Sequence, residues 1–481
     1  MSGRVSCMKD VAMMSIEEVS ELIRRGEVSP VELAETCFGR IEKLNPGLNA
    51  YVYIDKESAI NYAVAAEKEI TSGNYRGRLH GIPVALKDLY YTKGISTTAG
   101  SEILRDFRPD YAGTIVERLK GAGMIMLGKT NTTEFAFDPT NEESIFGSAK
   151  NPWNTSKISG GSSGGSAIAV AVGMAYGAMG TDTGGSVRIP AAMCGAVGFK
   201  PTVGLLSTFG IVPLSFTLDH PGTLTRSVAD AAIIIDAISG TDERDPCPFA
   251  KKCEGTRFYE ESSSVSDLKG KVLGIPKNFF FDKTDFEVER VFYEAVERCR
   301  ALGAEIREVY IPGLDSLPEM STNLMFAEAA WNHREWYPAR ESEYQKAVAA
   351  RLEKGCRVKA TEYIGALRYR DELIKEWEKV LCGFDSLLAP TCPIEAYDLG
   401  LGEPWSITTR GKTEQGKVMA TYHTRLSNMT GAPALSVPAG LTKNNLPVGL
   451  MIMGKRNDDC NVLKIGMAYE KSYKYPKPRL I

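Results

Sequence analysis

Two glycine- and serine-rich segments carry the residues best suited to chemistry in this 481-residue sequence. The first, residues 159–166, reads Ser-Gly-Gly-Ser-Ser-Gly-Gly-Ser and leads directly into a stretch of small apolar residues. Such a composition is also typical of a flexible linker. A linker would separate domains, whereas this segment lies inside an apolar region. We therefore expect its glycines to allow close approach of the backbone.

The second segment, residues 180–190, places Ser186 directly after two glycines. Pro190 disfavours helical geometry at Ile189, which predicts irregular backbone near the serine. A tight turn would account for the same pattern. The glycines also leave backbone N–H groups unobstructed, and such groups stabilise the oxyanion that forms when a serine attacks a carbonyl carbon. The segment is therefore a candidate site for a nucleophilic serine.

A serine nucleophile needs a base, and histidine is the usual one. The sequence has four histidines, which are His80, His220, His333 and His423. Around Ser186 the Gly-x-Ser-x-Gly motif is incomplete, because Arg188 stands at its last position, and we expect each histidine to be structural. A His-Glu-x-x-His metal motif is also absent. Nucleotide binding is unsupported, since Ser166 stands where a phosphate-binding loop needs lysine.

Lysine can act as the base where burial disfavours its charged form. Lys87 follows the apolar run 82–86 and precedes Asp88. A lysine at the end of a strand is usually solvated. Catalysis at neutral pH would require a pKa about three units below its usual value, at a cost of about 4 kcal/mol.

The three segments together resemble the amidase signature family. They occur in the family's order: residues 81–88 around the lysine, then the two glycine-rich segments. Further stretches that resemble this family are residues 128–135, 151–154, 199–204, 219–222 and 428–438. The resemblance covers most of residues 15–470. It implies an α/β fold with a single large domain, in which helices cover both faces of a mixed, mainly parallel central sheet.

By resemblance, Ser186 is the nucleophile, Ser162 is a bridging serine on a cis peptide bond, and Lys87 is the base. A neutral Lys87 would accept a proton from Ser162, which would accept one from Ser186. The family's oxyanion hole would consist of the backbone N–H groups of Thr183, Gly184, Gly185 and Ser186. Water would then hydrolyse the acyl-enzyme. No cofactor or metal is implied.

The family includes amidases for many acyl groups, urea and carbamate hydrolases, and the A subunit of glutamyl-tRNA amidotransferase. That subunit typically has an aspartate, which binds the amine of glutamine, seven residues before the counterpart of Asn428. Thr421 stands there. Residues 445–451 also depart from the Gly-Leu-Pro-x-Gly-x-Gln pattern of this subunit, since they begin with Asn and end with Met. We predict a stand-alone amidase for less polar acyl groups. A carbamate or urea hydrolase, the amidotransferase subunit, and a non-enzymatic protein with this fold remain alternatives.

Helices and strands that could position these residues are visible as patterns. Capping boxes at residues 15–18 and 29–32 predict two N-terminal helices, the second ending at Asn45. Short apolar runs predict strands at residues 82–86, 125–127, 272–275, 305–311, 387–389, 435–437 and 448–452. Residues 287–302 favour a helix within a strand-helix-strand unit. Residues 166–180 favour a buried helix, and residues 251–268 a surface loop rather than a linker.

Composition limits the remaining possibilities. The net charge is -3, without a basic stripe, so we expect no nucleic-acid partner. The family resemblance implies a small-molecule amide substrate. Ten cysteines without a compact framework favour reduced thiols in the cytoplasm. The first 17 residues do not resemble a secretory signal, and no membrane span is predicted. We expect one domain over residues 1–481, with N-terminal helices over 1–75, the catalytic signature region over about 80–205, and a homodimer as a possible assembly.

Overall fold

The computed structural model describes residues 10–249, 255–401 and 406–480. Its helices are α1 (Ile16–Arg24), α2 (Pro30–Leu48), α3 (Lys56–Thr71), α4 (Thr114–Gly121), α5 (Gly164–Ala171), α6 (Arg188–Cys194), α7 (Val228–Ile238), α8 (Phe258–Ser263), α9 (Phe286–Ala301), α10 (Leu317–Asn332), α11 (Lys346–Cys356), α12 (Ala360–Leu381), α13 (Gly416–Ala420), α14 (Arg425–Thr430) and α15 (Asp459–Ser472). Its strands are β1 (Tyr51–Ile54), β2 (Pro83–Lys87), β3 (Ile125–Thr130), β4 (Gly177–Asp182), β5 (Val197–Lys200), β6 (His220–Thr225), β7 (Val272–Pro276), β8 (Glu305–Val309), β9 (Ser386–Pro390), β10 (Ser406–Thr409), β11 (Lys412–Gln415), β12 (Ala434–Leu441) and β13 (Pro447–Met453).

Eleven strands of the described residues form one sheet, in the order β1-β3-β2-β4-β6-β5-β12-β13-β9-β7-β8. Parallel pairs lie toward its ends, where β2 lies between β3 and β4, and β7 lies between β8 and β9. The centre, from β4 to β9, is antiparallel. β1 pairs antiparallel with β3 at one edge, and β10 and β11 form a separate hairpin.

The prediction of a mixed sheet is confirmed, but its parallel share is smaller than expected. Parallel neighbours require a crossover connection, which here contains α4, α5 or α9. A turn at residues 442–446 instead joins β12 to β13, and a loop at residues 201–219 joins β5 to β6. These connections return the chain antiparallel. The apolar runs in the sequence indicated where strands lie, but they did not indicate which connections between strands lack a helix.

Helices cover both faces of the sheet, as the alternation of side chains in β13 demonstrates. Leu450 and Ile452 pack in a large apolar core with residues of α7, α9 and α15. Met451 and Met453 pack in a second core, which includes Trp377 of α12. Because successive side chains of a strand point to opposite faces, the two cores lie on opposite sides of the sheet.

The two predicted N-terminal helices form and begin at their predicted caps. At α1 the capping box is complete, because Ser15 Oγ accepts from the Glu18 N–H and the Glu18 carboxylate accepts from the Ser15 N–H. At α2, Ser29 Oγ accepts from the Glu32 N–H. Residues of both helices join the large core.

The predicted end of α2 at Asn45 is wrong by one turn. The helix continues through Pro46 to Leu48. The Asn45 side chain then accepts from the N–H groups of Ala50 and Tyr51, at 2.8 Å each, and closes the helix end. A proline in the last turn therefore does not stop this helix, because side-chain hydrogen bonds stabilise its end.

Residues 166–180 do not form one helix, contrary to the prediction. α5 ends at Ala171 and β4 begins at Gly177, with Gly173 at φ +70° between them. The turn is possible because glycine adopts this left-handed conformation without steric cost. In the part of the chain that the structure describes, no helix is long and apolar enough to cross a membrane.

The segment 251–268 is not simply a surface loop. Its described part contains α8, with Phe258 and Ser262 buried. Residues 251–254 lie outside the described residues, and so do residues 1–9, on which much of the prediction about a secretory signal falls. The eight cysteines of the described ranges are free.

Candidate active site

Lys87 is the last residue of β2, and its side chain is fully buried rather than solvated. Its Nζ lies 2.7 Å from Ser162 Oγ and 2.8 Å from Thr181 Oγ1, and both contacts are hydrogen bonds. Thr181 belongs to β4, the parallel neighbour of β2, so strand pairing fixes one of the two contacts. An apolar strand thus carries an amine into the core next to two hydroxyl groups.

Burial lowers the pKa of Lys87 to about 7, and the nearby Asp219 and Asp182 carboxylates oppose this shift. Burial likewise raises the pKa of Asp219 to about 6, against hydrogen bonds from Thr183 and two backbone N–H groups. The amine is therefore substantially neutral near pH 7, when a solvated lysine would be charged.

The first glycine-rich segment is buried and is fastened to β4 by two of its serines. Ser163 Oγ accepts from the Thr181 N–H and donates to the Thr181 carbonyl. Ser166 Oγ donates to the Met179 carbonyl at 3.0 Å. The Gly161–Ser162 peptide bond is cis, as the family resemblance implies. This buried, bonded segment is not a flexible linker.

Ser186 lies between β4 and α6, next to the same segment. Its carbonyl accepts from the Ser163 N–H at 3.2 Å, which holds the Ser186 backbone close to the neighbour of Ser162. Among the described residues its hydroxyl makes no hydrogen bond, so the expected contact with Ser162 Oγ is not formed in this structure. Catalytic hydrogen bonds are often long in free enzymes and shorten when substrate binds.

The loop that carries Ser186 folds around the Asp182 carboxylate. This group accepts from the N–H groups of Gly185, Val187 and Arg188, and it pairs with the Arg188 guanidinium at 2.9 Å. Asn428 of α14 bridges the pair, because its amide donates to Asp182 and its carbonyl accepts from Arg188. Burial raises the pKa of Asp182, but Arg188 and its hydrogen bonds hold it well below its usual range.

The predicted oxyanion hole is available except at Gly185. The Gly185 N–H donates to Asp182 Oδ1 at 2.8 Å and is therefore already engaged. The N–H groups of Thr183, Gly184 and Ser186 make no hydrogen bond with the described residues. Thr424 Oγ1 donates to the Gly184 carbonyl at 2.6 Å and so fixes the peptide plane between the glycines.

A cavity of about 480 Å³ opens beside Ser186, Thr183 and Gly184. Its lining includes apolar side chains such as Phe137 and Met325. Its charged lining residues are Asp138, Arg351, Lys354, Lys417 and Arg425. A second cavity of about 210 Å³, lined largely by aromatic and aliphatic residues, also reaches Thr183. Ser186 therefore lies at a site large enough for a small substrate.

The four histidines are structural in this fold, in agreement with the prediction. His220 Nδ1 bonds to the Leu218 carbonyl, His333 to the Tyr344 hydroxyl and His423 to the Pro390 carbonyl. His80 lies 3.3 Å from Glu69 in a distant groove. In the described ranges, no group of three or more His, Cys, Asp or Glu side chains could hold a metal ion.

Several residues of the site lack a local signal in the sequence. Thr181 lies within the second segment, but its contact with Lys87 depends on strand pairing. Asn428 reaches Asp182 across 246 positions of the chain. Thr424 and Arg425 follow no recognisable motif, and only the fold brings them to the loop at Gly184.

Comparison with known proteins places this arrangement in a family. The model of the family described as Amidase matches residues 32–463. A curated relative is the A subunit of the glutamyl-tRNA(Gln) amidotransferase of Geotalea daltonii, which is 34% identical over 97% of this chain and 98% of its own length.

Two solved structures are also similar. One, described as a vestigial protein complex that reveals the origins of an s-triazine catabolic enzyme, has a TM-score of 0.91 and 27% identity over 97% of this chain and all of that one. The other is the peptide amidase of Stenotrophomonas maltophilia, with a TM-score of 0.82 and 28% identity over 97% and 98% of the two chains. The chain belongs to the amidase signature family, and its activity is hydrolysis of the carbon–nitrogen bond of an amide.

Proposed function

We propose that this chain hydrolyses a small amide through an acyl-enzyme on Ser186. The observation that carries the proposal is the fully buried pair of Lys87 Nζ and Ser162 Oγ, 2.7 Å apart. With a pKa of about 7, Lys87 exists as both amine and ammonium near neutral pH. Such a group can both accept and return a proton during one catalytic cycle.

In the proposed mechanism, Ser186 Oγ attacks the amide carbon while its proton passes to Ser162 and the Ser162 proton passes to Lys87. The C–N bond then breaks as the proton returns through Ser162 to the leaving nitrogen, which departs as ammonia or an amine. Water attacks the ester carbon by the same relay and releases the acid. Each cycle restores Ser186 and neutral Lys87.

The negative charge that develops on the substrate oxygen must be stabilised by hydrogen-bond donors. The N–H groups of Thr183, Gly184 and Ser186 are available for it, whereas the Gly185 N–H is committed to Asp182. We infer that Gly185 shapes the backbone of the oxyanion hole and does not donate a hydrogen bond to the substrate oxygen. Each correctly placed donor is worth roughly a hundredfold to a thousandfold in turnover.

The test compares two serines of the site. Ser186→Ala should lower turnover of a simple amide on the order of a millionfold, because it removes the nucleophile. Ser166→Ala is the matched control, since it removes a buried hydroxyl that bonds to Thr130 and Met179. We expect it to lose about 1–3 kcal/mol of stability, because its buried partners lose a hydrogen bond, and to keep its activity within a few-fold. An active Ser186→Ala variant would refute the proposal.

Glutamine is a second candidate substrate, with the chain supplying ammonia as part of an amidotransferase. The curated relative from Geotalea daltonii carries that function in its name, and this favours the candidate over a stand-alone amidase. Two residues argue against it: Thr421 stands in place of the expected aspartate, and Met451 stands in place of glutamine. A homodimer and a cytoplasmic location remain predictions.

The two candidates differ in glutamine turnover. An amidotransferase component should hydrolyse glutamine in preference to neutral aliphatic amides and should pass ammonia to glutamyl-tRNA when combined with partner proteins. Transfer of ammonia from glutamine to glutamyl-tRNA in the presence of partner proteins, measured beside ammonia release from glutamine and pentanamide by the purified chain, decides between them. Faster turnover of pentanamide would contradict the glutamine candidate.

A further inference from the structure

Arg425, the first residue of α14, is held rigidly in the wall of the 480 Å³ cavity that contains Ser186. Its Nε donates to Thr421 Oγ1 at 3.0 Å. Its Nη1 donates to the Pro318 carbonyl and to the hydroxyls of Ser321 and Thr322, which lie in the first turns of α10. Four acceptors thus fix the plane of the guanidinium without neutralising its charge.

The second terminal nitrogen of Arg425 is available to a ligand. Nη2 makes no hydrogen bond with the described residues, and it is not among the buried unpaired polar atoms. Within the described ranges, no carboxylate lies within salt-bridge distance of this guanidinium. Burial lowers the pKa of Arg425 to about 10, and no acidic group opposes the shift. A partly buried cation without an anionic partner favours binding of an anion.

Arg425 shares a cavity with the reacting serine. Ser186, Gly184 and Arg425 all line this cavity, and Thr424 Oγ1, one residue before Arg425, donates to the Gly184 carbonyl at 2.6 Å. A substrate that fills the cavity from Ser186 would therefore present its own anionic group to Arg425.

The other charges of the cavity do not provide a site for an ammonium group. Asp138 is its one carboxylate among the described lining residues, and it pairs with Arg351 at 2.8 Å and Lys417 at 2.9 Å. Burial raises the pKa of Asp138, but those two cations hold it below its usual value. Among the described lining residues, the cavity has four cationic side chains and one carboxylate, and this carboxylate is already paired.

We propose that Arg425 binds a carboxylate on the acyl part of the amide substrate, so that this chain prefers amides of dicarboxylic acids over neutral amides. The inference rests on the proposed function, since it concerns the same cavity and the same acyl-enzyme. It specifies a negative charge on the substrate and names the residue that recognises this charge. Because the other two nitrogens fix the plane of the guanidinium, a carboxylate bound to Nη2 also has a restricted orientation relative to the reacting bond.

The experiment uses three amides of equal chain length, with ammonia release as the readout. Glutaramate has a carboxylate, pentanamide has no charge, and glutamine has both a carboxylate and an ammonium group. We expect kcat/KM for glutaramate to exceed that for pentanamide by roughly ten- to a hundredfold. Glutamine should gain nothing over glutaramate. Equal kcat/KM for glutaramate and pentanamide, or a strong preference for glutamine over glutaramate, would overturn the inference.

Two variants test whether Arg425 causes the preference for glutaramate over pentanamide. Arg425→Met should raise KM for glutaramate until the preference disappears, so that glutaramate and pentanamide are hydrolysed with similar kcat/KM. Lys354→Met is the matched control, because it removes an exposed cation from the same cavity, and we expect the preference to stay within twofold. An Arg425→Met variant that keeps the preference, or an equal loss in Lys354→Met, would contradict the inference.

If Arg425→Met does not fold, Arg425→Lys provides a second comparison. Arg425→Lys keeps the charge and loses the planar fork, so it should weaken glutaramate selectively and by a smaller factor. An unchanged preference in Arg425→Lys would overturn the proposed role of the fixed guanidinium plane. Ser186→Ala separates the two hypotheses: if it stays active, the proposed function fails, whereas an inactive Ser186→Ala with a charge-indifferent wild type refutes only the role of Arg425.

Discussion

Among single residues, the charge state of Lys87 decides whether the proposed proton relay can operate. Burial disfavours its ammonium form, and the Asp219 and Asp182 carboxylates favour it. The balance gives a pKa of about 7, so the amine is a proton acceptor in the upper part of the physiological range. In the sequence, the end of an apolar strand made this lysine a candidate and the family resemblance implied its role, but the balance depends on carboxylates from other elements.

We predict that kcat/KM rises with pH through about 7 and reaches a plateau above it. The direction follows from the sign of the shift: below its pKa, Lys87 is protonated and cannot accept the proton of Ser162. The measurement is a pH profile of amide hydrolysis between pH 5 and pH 9 by the wild type. A profile that is flat or falls across pH 7 would contradict this role.

A companion variant tests the cause of the pKa. Asp219→Asn removes a carboxylate that favours the ammonium form, so the midpoint of the profile should move to lower pH. The amide keeps the shape of the side chain and can still contact Thr183. A midpoint that stays in place would mean that Asp219 does not influence the base.

At the scale of elements, the loop between β4 and α6 depends on close contact with the turn before α14. Gly185 has φ +126°, and a Cβ there would lie 2.2 Å from Thr424 Oγ1. The same hydroxyl holds the Gly184 carbonyl. A side chain at residue 185 would therefore displace the peptide planes that orient the oxyanion donors.

We predict that Gly185→Ala lowers kcat by about a hundredfold or more, which corresponds to loss of one oxyanion donor. Gly94→Ala is the control, since Gly94 also has a positive φ, +75°, but has no atom within 4 Å of the added carbon. It should cost about 1 kcal/mol of stability without loss of activity. Steady-state rates and thermal melts of both variants provide the check. Equal rates for both variants would contradict the role of this contact.

The elements themselves were predictable where apolar runs are continuous. All seven predicted strands form, from β2 to β13, and so does the helix α9. Six strands of the described residues were missed, namely β1, β4, β5, β6, β10 and β11. In β4, Gly177–Asp182 contains no β-branched residue before Thr181. The contacts of Arg188 with Asn428 and of Thr424 with Gly184 join positions 240 apart, so no local pattern could reveal them.

At the scale of the whole molecule, one core connects the ends of the described chain. The large apolar core contains Ile16 of α1 and Tyr469 of α15, together with residues of the sheet between them. Residues packed in one core stabilise one another, which favours cooperative unfolding. The organisation of the chain as one domain, expected from the sequence, would therefore give cooperative unfolding.

We predict a single thermal transition in scanning calorimetry of the purified chain, observed equally by tryptophan fluorescence. The N-terminal helices should not melt earlier, because their apolar faces belong to the same core. Two well-separated transitions would contradict the single domain and would indicate that residues 1–75 are stable independently of the sheet.

Activation of Ser186 by a neutral lysine is best tested by covalent labelling of this serine. A fluorophosphonate reacts with an activated serine, and peptide mass spectrometry identifies the labelled residue. We predict a single adduct on Ser186, with a labelling rate that rises through pH 7 and falls at least roughly a hundredfold in Lys87→Met. An adduct on another residue, or an unchanged rate in Lys87→Met, would contradict the account.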